Sequence, residues 1–298
     1  MKKIYMAGCG GMLGEAFYKV FNREYEIKCS DIDVNEEWLT YLDFRDLESY
    51  MSDVESYNPD FLFHIGAFTD LEFCEKNVEE TYLTNTLSVE NATLISNKLG
   101  IPLLYISTAG IFDGSKEVFD DWDLPSPMCH YARSKYAGEL YVEKNSNKYL
   151  ICRAGWMMGG GPKKDKKFVY KILKQLKEGK QELFVVNDKL GTPTYTFDFA
   201  DNVKLILESR LWGLYNMVCE GMTGRLEVTQ ELLKILELDK KIKLTSVDSS
   251  FFEKEYFVTR PDSERLINRK LNLRKMNIMR DWKICLKEYL EDYYQDFL

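Results

Sequence analysis

The sequence predicts an α/β fold: a doubly wound parallel sheet with a smaller α/β lobe at its C-terminal end. Three observations carry this. Short apolar runs alternate with amphipathic stretches up to residue 155. Glycines at 8, 11 and 14 join the first run to the first amphipathic stretch. Beyond residue 155 the rhythm changes to a Gly- and Lys-rich loop followed by mixed helices and short strands. Apolar runs separated by helices imply a parallel sheet covered on both faces, and right-handed crossovers wind it in both directions.

In order, residues 2–8 read as a strand, 14–22 as a helix, 25–31 as a strand, 47–57 as a helix and 60–67 as a strand. A long helix follows over 78–100, then a strand over 101–108, a helix over 134–146 and a strand over 148–155. Apolar residues at 168, 169, 172, 173 and 176 give a helix by their spacing. The last stretch, 281–298, puts Trp282, Leu286, Tyr289, Leu290 and Tyr293 on one helical face. The expected division is a dinucleotide-binding domain over 1–155, joined by about 190–220, and a substrate-binding lobe formed mainly by 156–298.

Composition narrows the function. With 45% hydrophobic and 30% charged residues the 298-residue chain has an ordinary globular make-up. A net charge of −8 argues against a nucleic-acid groove, which needs clustered cations. The apolar run after Lys2 and Lys3 is short and broken by glycine, so it reads as a strand rather than a signal peptide. No stretch has the ~18 apolar residues of a membrane span, so no membrane partner is expected. The seven Cys are scattered without a CxxC pair and there are two His, so no metal site is expected. Reduced, buried cysteines and a cytoplasmic setting are the expectation.

Gly8, Gly11 and Gly14 stand where a strand turns into a helix. Glycine there permits close approach of a pyrophosphate, and the helix N-terminus offers free N–H groups and a favourable dipole. The second strand ends at Asp31, whose carboxylate suits ribose hydroxyls and repels a 2′-phosphate. Lys3, Lys28 and Arg45 are near in sequence and offer countercharge, so both NAD(H) and NADP(H) stay open. Tyr131 and Lys135 form a YxxxK pair, on one face of a helix by their i, i+4 spacing. A nearby ammonium is expected to lower the phenol's pKa and let it pass a proton to a carbonyl oxygen. Ser107 and Thr108 end a strand at the same sheet edge, and Thr108 is the expected second donor to that oxygen. His130, just before the tyrosine, reads as a helix N-terminal residue.

The glycine turn, the strand ending in Ser-Thr and YxxxK together resemble the extended short-chain dehydrogenases/reductases, which have a Rossmann fold. More specific matches resemble the dTDP-4-dehydrorhamnose reductase branch. They are Gly11-Met12-Leu13-Gly14, Leu42-Asp43-Phe44-Arg45, Ala67-Phe68-Thr69-Asp70, Asn85, and Ser107-Thr108 with Ile111-Phe112-Asp113-Gly114. Arg153-Ala154-Gly155-Trp156, Gly191 to Thr196 with Asp198-Phe199-Ala200, Arg260-Pro261 and Asp281-Trp282 continue the likeness.

The resemblance implies that Gly11, Met12 and Leu13 touch the pyrophosphate, Asp31 the ribose, and Asp43 and Phe44 the adenine end. Ala67, Phe68 and Thr69 line the nicotinamide side, with Ser107 also at the cofactor. Tyr131 is the acid, Lys135 its partner, Thr108 the carbonyl donor and Trp156 a sugar contact. Arg260 is the expected cation for the substrate diphosphate, with the lysines at 163, 164, 166 and 167 as a weaker candidate. The chain departs from the branch pattern Ser-Thr-Asp-Tyr-Val-Phe-Asp-Gly: Ala109 and Gly110 replace Asp-Tyr beside the catalytic Thr. The loss also argues against a 4,6-dehydratase.

The expected activity is NAD(P)H-dependent reduction of the keto group of a nucleoside-diphosphate 4-keto-6-deoxy sugar, by a chain that can form a homodimer. The alternatives are a related sugar-nucleotide epimerase and a non-catalytic nucleotide-binding regulatory subunit, a role one relative of the branch serves for methionine adenosyltransferase.

Overall fold

The computed structural model describes residues 1–295 and 297. Its centre is a seven-stranded parallel sheet. Six strands are β1 (Lys3–Ala7), β2 (Glu26–Asp31), β3 (Leu39–Tyr41), β4 (Phe61–His64), β5 (Leu103–Thr108) and β6 (Tyr149–Ala154), and the seventh is Gly213–Asn216. Their spatial order is seventh, β6, β5, β4, β1, β2, β3. The order reverses between β1 and β4, leaving a crevice beyond the C-terminal strand ends, where open α/β sheets take ligands. The expected α/β class and doubly wound parallel sheet are what the chain forms.

Strand alternation explains why both faces are covered. Ile4 and Met6 of β1, Phe63 of β4, Leu104 and Ile106 of β5, and Leu150 and Cys152 of β6 enter one core. Tyr5 and Ala7, Leu62, Leu103 and Tyr105, and Ile151 enter the other. The first core is closed by α1 (Met12–Phe21) and by the helix Thr196–Ser209, through Leu13, Phe17, Phe199 and Val203. The second is closed by α2 (Leu47–Tyr57) and two later helices, Ser88–Leu99 and His130–Asn145, through Tyr50, Val54, Val89, Ala92 and Val142. Asp46 caps α2 by accepting from the Glu48 and Ser49 amides.

The expected 78–100 helix is interrupted: Leu83–Leu87 is a π-helical turn between Val78–Tyr82 and Ser88–Leu99. Single π turns inside helices collect at functional sites, and this one carries Asn85. The helix expected over 134–146 starts earlier, at His130, so Tyr131 lies in its first turn.

The remaining elements form small sheets over the strand ends. Trp156–Met158 pairs with Pro193–Tyr195, Glu182–Val186 with Lys243–Val247, and Leu190–Gly191 lies between Thr223–Gly224 and Ser263–Glu264. The last helix is Trp282–Tyr294 and buries Trp282, Leu286, Tyr289 and Leu290. The part of its expected extent at 296 and 298 lies outside the described residues. All seven cysteines are buried and unpaired. No described helix is long and apolar enough to cross a membrane.

Candidate active site

The three turn glycines do different work. Gly8 has φ +85°, and a Cβ there would sit 2.2 Å from the Gly66 Cα. A Cβ on Gly14 would sit 2.1 Å from the Cys9 carbonyl oxygen. Both positions are closed by backbone, so they shape the turn. At Gly11 a Cβ would meet nothing within 4 Å. Gly11 is also the N-cap of α1, with no side chain accepting from the first-turn amides. The helix start at Met12 and Leu13 therefore presents free N–H groups to an open space, the arrangement that binds phosphate. The Gly159–Gly161 loop comes down beside it: a Cβ on Gly160 would lie 2.9 Å from the Met12 Cβ.

Asp31 ends β2 and faces the turn. Its Oδ2 accepts from the Gly10 amide at 2.8 Å and its Oδ1 from the Asp33 amide at 2.9 Å. The cations expected as its countercharge are engaged elsewhere. Lys28 pairs with Asp53 at 2.6 Å, Lys3 with Glu26 at 3.4 Å, and Arg45 binds Asp43 in bidentate fashion. That arginine holds the Asp43 carboxyl below the usual carboxylate range. Phe44 packs over Gly66, where a Cβ would strike its ring at 2.5 Å.

Beyond β4 the chain passes Ala67, Phe68 and Thr69. Buried Asn85 accepts from the Phe68 amide at 2.8 Å and donates to the Phe68 carbonyl at 3.0 Å and to Ser134 Oγ at 3.2 Å. One side chain thus ties this loop to the helix bearing Tyr131 and Lys135. Lys167 reaches across to donate to Thr69 O at 3.0 Å and Oγ1 at 2.7 Å.

Thr108, Tyr131 and Lys135 converge at the end of β5. Thr108 Oγ1 accepts from the Gly110 amide at 3.1 Å, and a Cβ on Gly110 would lie 3.5 Å from Thr108 Oγ1 and 3.7 Å from Tyr131 Cε1, so the two side chains flank the same gap. Burial raises that phenol above its ordinary pKa, and the Thr108 contact pulls the other way. Desolvation of the phenolate is the largest cause of that rise. Lys135 is buried, and desolvation pulls its ammonium down to about 7, opposed by Glu139. Its Nζ lies 4.3 Å from the Tyr105 ring centre. The buried Ser107 hydroxyl has no hydrogen-bond partner among the described residues. An open pyrophosphate cradle, an orphaned hydroxyl and a lysine facing only a ring together fit a nicotinamide dinucleotide.

The opposite wall comes from the smaller lobe. Trp156 packs against Gly191, where a Cβ would lie 2.2 Å from its ring, and the Arg225 guanidinium lies 3.6 Å from its ring centre. Its Nε1 donates to Glu264 Oε2 at 2.6 Å. Arg260 forms an ion pair with Glu72 at 2.8 Å and donates to the Val258 carbonyl. The lysines divide: Lys163 and Lys164 pair with Glu36, Lys167 holds Thr69, and Lys166 is exposed. His130 donates its amide to Glu75 at 3.0 Å, as a helix N-terminal residue does.

Sequence reasoning missed Arg225 and Glu264. Neither sits in a recognisable motif, and their positions follow from strand pairings of two residues each, too short to leave a periodic signal.

The chain matches the family described as RmlD substrate binding domain over residues 1–295. It is 29% identical to the spore coat polysaccharide biosynthesis protein SpsK of Bacillus subtilis over 294 residues, 98% of each chain. Among solved structures it resembles a dTDP-4-dehydrorhamnose reductase of Clostridium acetobutylicum, at TM-score 0.88 and 27% identity, covering 97% of this chain and 98% of that one. A dTDP-4-dehydrorhamnose reductase of Bacillus anthracis in complex with NADP aligns at TM-score 0.87 and 26% identity, over 98% and 99% of the two chains.

Proposed function

This chain belongs to the RmlD substrate binding domain family, and we propose that it reduces the keto group of a nucleoside-diphosphate 4-keto-6-deoxy sugar with NADH or NADPH, dTDP-4-dehydrorhamnose being the substrate to test first. The observation that carries this reading is the convergence of Thr108, Tyr131 and Lys135 at the end of β5, beside an open helix N-terminus at Gly11. Family membership supports it: two similar solved structures are named dTDP-4-dehydrorhamnose reductases, one of them in complex with NADP. The seven buried, unpaired thiols support a cytoplasmic setting, where thiols stay reduced.

Gly11, Met12 and Leu13 hold the pyrophosphate of the dinucleotide, and Asp31 receives the adenosine ribose. Asp43 and Phe44 border the adenine, while Ala67, Phe68, Thr69 and Ser107 line the nicotinamide end. The bound cofactor supplies hydride to the carbonyl carbon. Tyr131 gives its phenolic proton to the carbonyl oxygen; burial alone raises the phenol's pKa, and a cation close to the phenol would bring it back toward the working range. Thr108 donates a second hydrogen bond to the same oxygen. Lys135, with no carboxylate bonded to its Nζ among the described residues, donates to the cofactor ribose. Trp156 borders the sugar through its edge. Arg225, whose guanidinium makes no side-chain hydrogen bond among the described residues, joins Arg260 as a cation for the diphosphate.

The test is oxidation of NADH and of NADPH, followed by nicotinamide fluorescence, with dTDP-4-dehydrorhamnose and a panel of keto sugar nucleotides. Turnover with a 4-keto-6-deoxy sugar, lost in Tyr131→Phe, is expected. Tight cofactor binding with no turnover across the panel would replace the enzyme by a nucleotide-binding regulatory protein.

A further inference from the structure

Ala109 and Gly110 leave the catalytic threonine without the carboxylate and phenol that usually follow it in the family. The space is not left empty. A Cβ on Gly110 would point at three atoms: Glu264 Oε1 at 3.4 Å, Thr108 Oγ1 at 3.5 Å and Tyr131 Cε1 at 3.7 Å. A carboxylate from a distant segment thus stands beside the acid and its partner, where residue 110 would otherwise project.

The carboxylate is aimed. Ser263–Glu264 is a strand pinned against Leu190–Gly191. Oε2 accepts from Trp156 Nε1 at 2.6 Å, and the indole is wedged against Gly191 and Arg225. With one oxygen anchored, the other has no donor among the described hydrogen bonds and faces the gap at Gly110. Glu264 is half-buried and keeps this oxygen free to accept, so a substrate hydroxyl entering the gap finds a charged acceptor already aimed at it.

Building on the proposed reduction, Thr108 and Tyr131 fix the keto oxygen and hence the ring. In a 4-keto-6-deoxy hexose the hydroxyl next to the keto carbon is at C3, since the other neighbour, C5, bears the methyl group. We propose that Glu264 is a specificity-determining residue, its free Oε1 accepting a hydrogen bond from the C3 hydroxyl of the keto sugar. Glu264 and Gly110 work as a pair: a larger side chain at 110 displaces the carboxylate, and a shorter one at 264 leaves the gap unfilled.

The test compares dTDP-4-dehydrorhamnose with its 3-deoxy analogue in the wild type, Glu264→Gln and Glu264→Ala, each first checked for melting temperature and for NADPH binding by fluorescence. The wild type is expected to prefer the 3-hydroxy substrate roughly 10–10²-fold in kcat/KM, the worth of one hydrogen bond to a charged group. Glu264→Ala should bring that ratio close to one, and Glu264→Gln, which keeps the packing, should leave it in between. A ratio unchanged in both variants overturns the proposal. So does an equal loss on both substrates, which would mean that Glu264 acts only by steadying Trp156. If the wild type reduces neither compound while still binding NADPH, the reduction itself fails. Wild-type turnover with an unaltered preference in the variants removes only the role of Glu264.

Discussion

Lys135 Nζ lies 4.3 Å from the centre of the Tyr105 ring, and the Tyr105 hydroxyl donates back to the Lys135 carbonyl at 2.9 Å. The ring accommodates the ammonium without neutralising it, and burial pulls its pKa to about 7. A lysine whose folded pKa is depressed binds fewer protons in the native than in the unfolded state between pH 7 and 10.5. Stability then rises with pH across that window, with a limiting slope of about 1.4 kcal/mol per pH unit. The cofactor-free protein should gain stability from pH 7 to 8.5 in denaturant titrations, before cysteine ionisation in the unfolded chain intervenes. Lys135→Met should flatten that rise. An unchanged slope in the variant would mean that the ammonium is not desolvated as described.

In the proposed reaction Tyr131 supplies the transferable proton. Replacing it with Phe keeps the ring and removes the acid, so turnover should fall by roughly 10²–10⁴-fold, the usual range for a general acid. NADPH binding, measured by fluorescence, should stay within a few-fold of wild type. Near-normal turnover by the purified variant would remove Tyr131 from the chemistry.

Asp31, proposed to receive the adenosine ribose, bonds the Gly10 and Asp33 amides. With Lys3, Lys28 and Arg45 all paired elsewhere, nothing expected from the sequence offsets its repulsion of a 2′-phosphate. The kcat/KM with NADH should equal or exceed that with NADPH, and Asp31→Asn should move the ratio toward NADPH. A hundredfold wild-type preference for NADPH would show that Asp31 does not face the ribose.

Arg260 and Glu72 form an ion pair across the cleft. If the arginine also binds the substrate diphosphate, Arg260→Ala should raise KM for the sugar nucleotide at least tenfold, with cofactor Kd little changed. Glu72→Ala separates the two roles, since it breaks the bridge but leaves the cation. Equal effects of the two substitutions would make Arg260 a fastening between lobes rather than a phosphate ligand.

Glu139 and Arg153 are buried and bonded twice, at 2.9 and 2.8 Å. Glu139→Ala leaves a buried guanidinium unpaired, and a loss of about 3–5 kcal/mol is expected in urea unfolding. A loss under 1 kcal/mol would show that water reaches the site.

Most of the sheet and half of the site were legible because their signals are local. Short continuous apolar runs marked β1, β4 and β5 as strands covered on both faces, the glycine turn sits within seven residues, and the i, i+4 spacing of Tyr131 and Lys135 puts them on one helix face. The π turn at Leu83–Leu87 was not legible, since an uninterrupted helical pattern and a one-residue widening share nearly the same periodicity. The roles within the glycine turn also needed the fold: only the approach of Gly66 and Cys9 separates the closed positions 8 and 14 from the open position 11.

The α/β winding, the glycine turn ahead of α1 and the shared helix face of Tyr131 and Lys135 follow from short stretches of chain, because each signal lies in residues close together in sequence. What surrounds them follows from the three-dimensional packing. It sets Glu264 beside Gly110 and Trp156, Arg260 on Glu72, and Lys167 on Thr69, pairs 98 to 188 residues apart. Such contacts depend on where the crossovers return the chain and on which strand edges pair. Those outcomes come from burial summed over the whole molecule, so no short stretch of sequence encodes them.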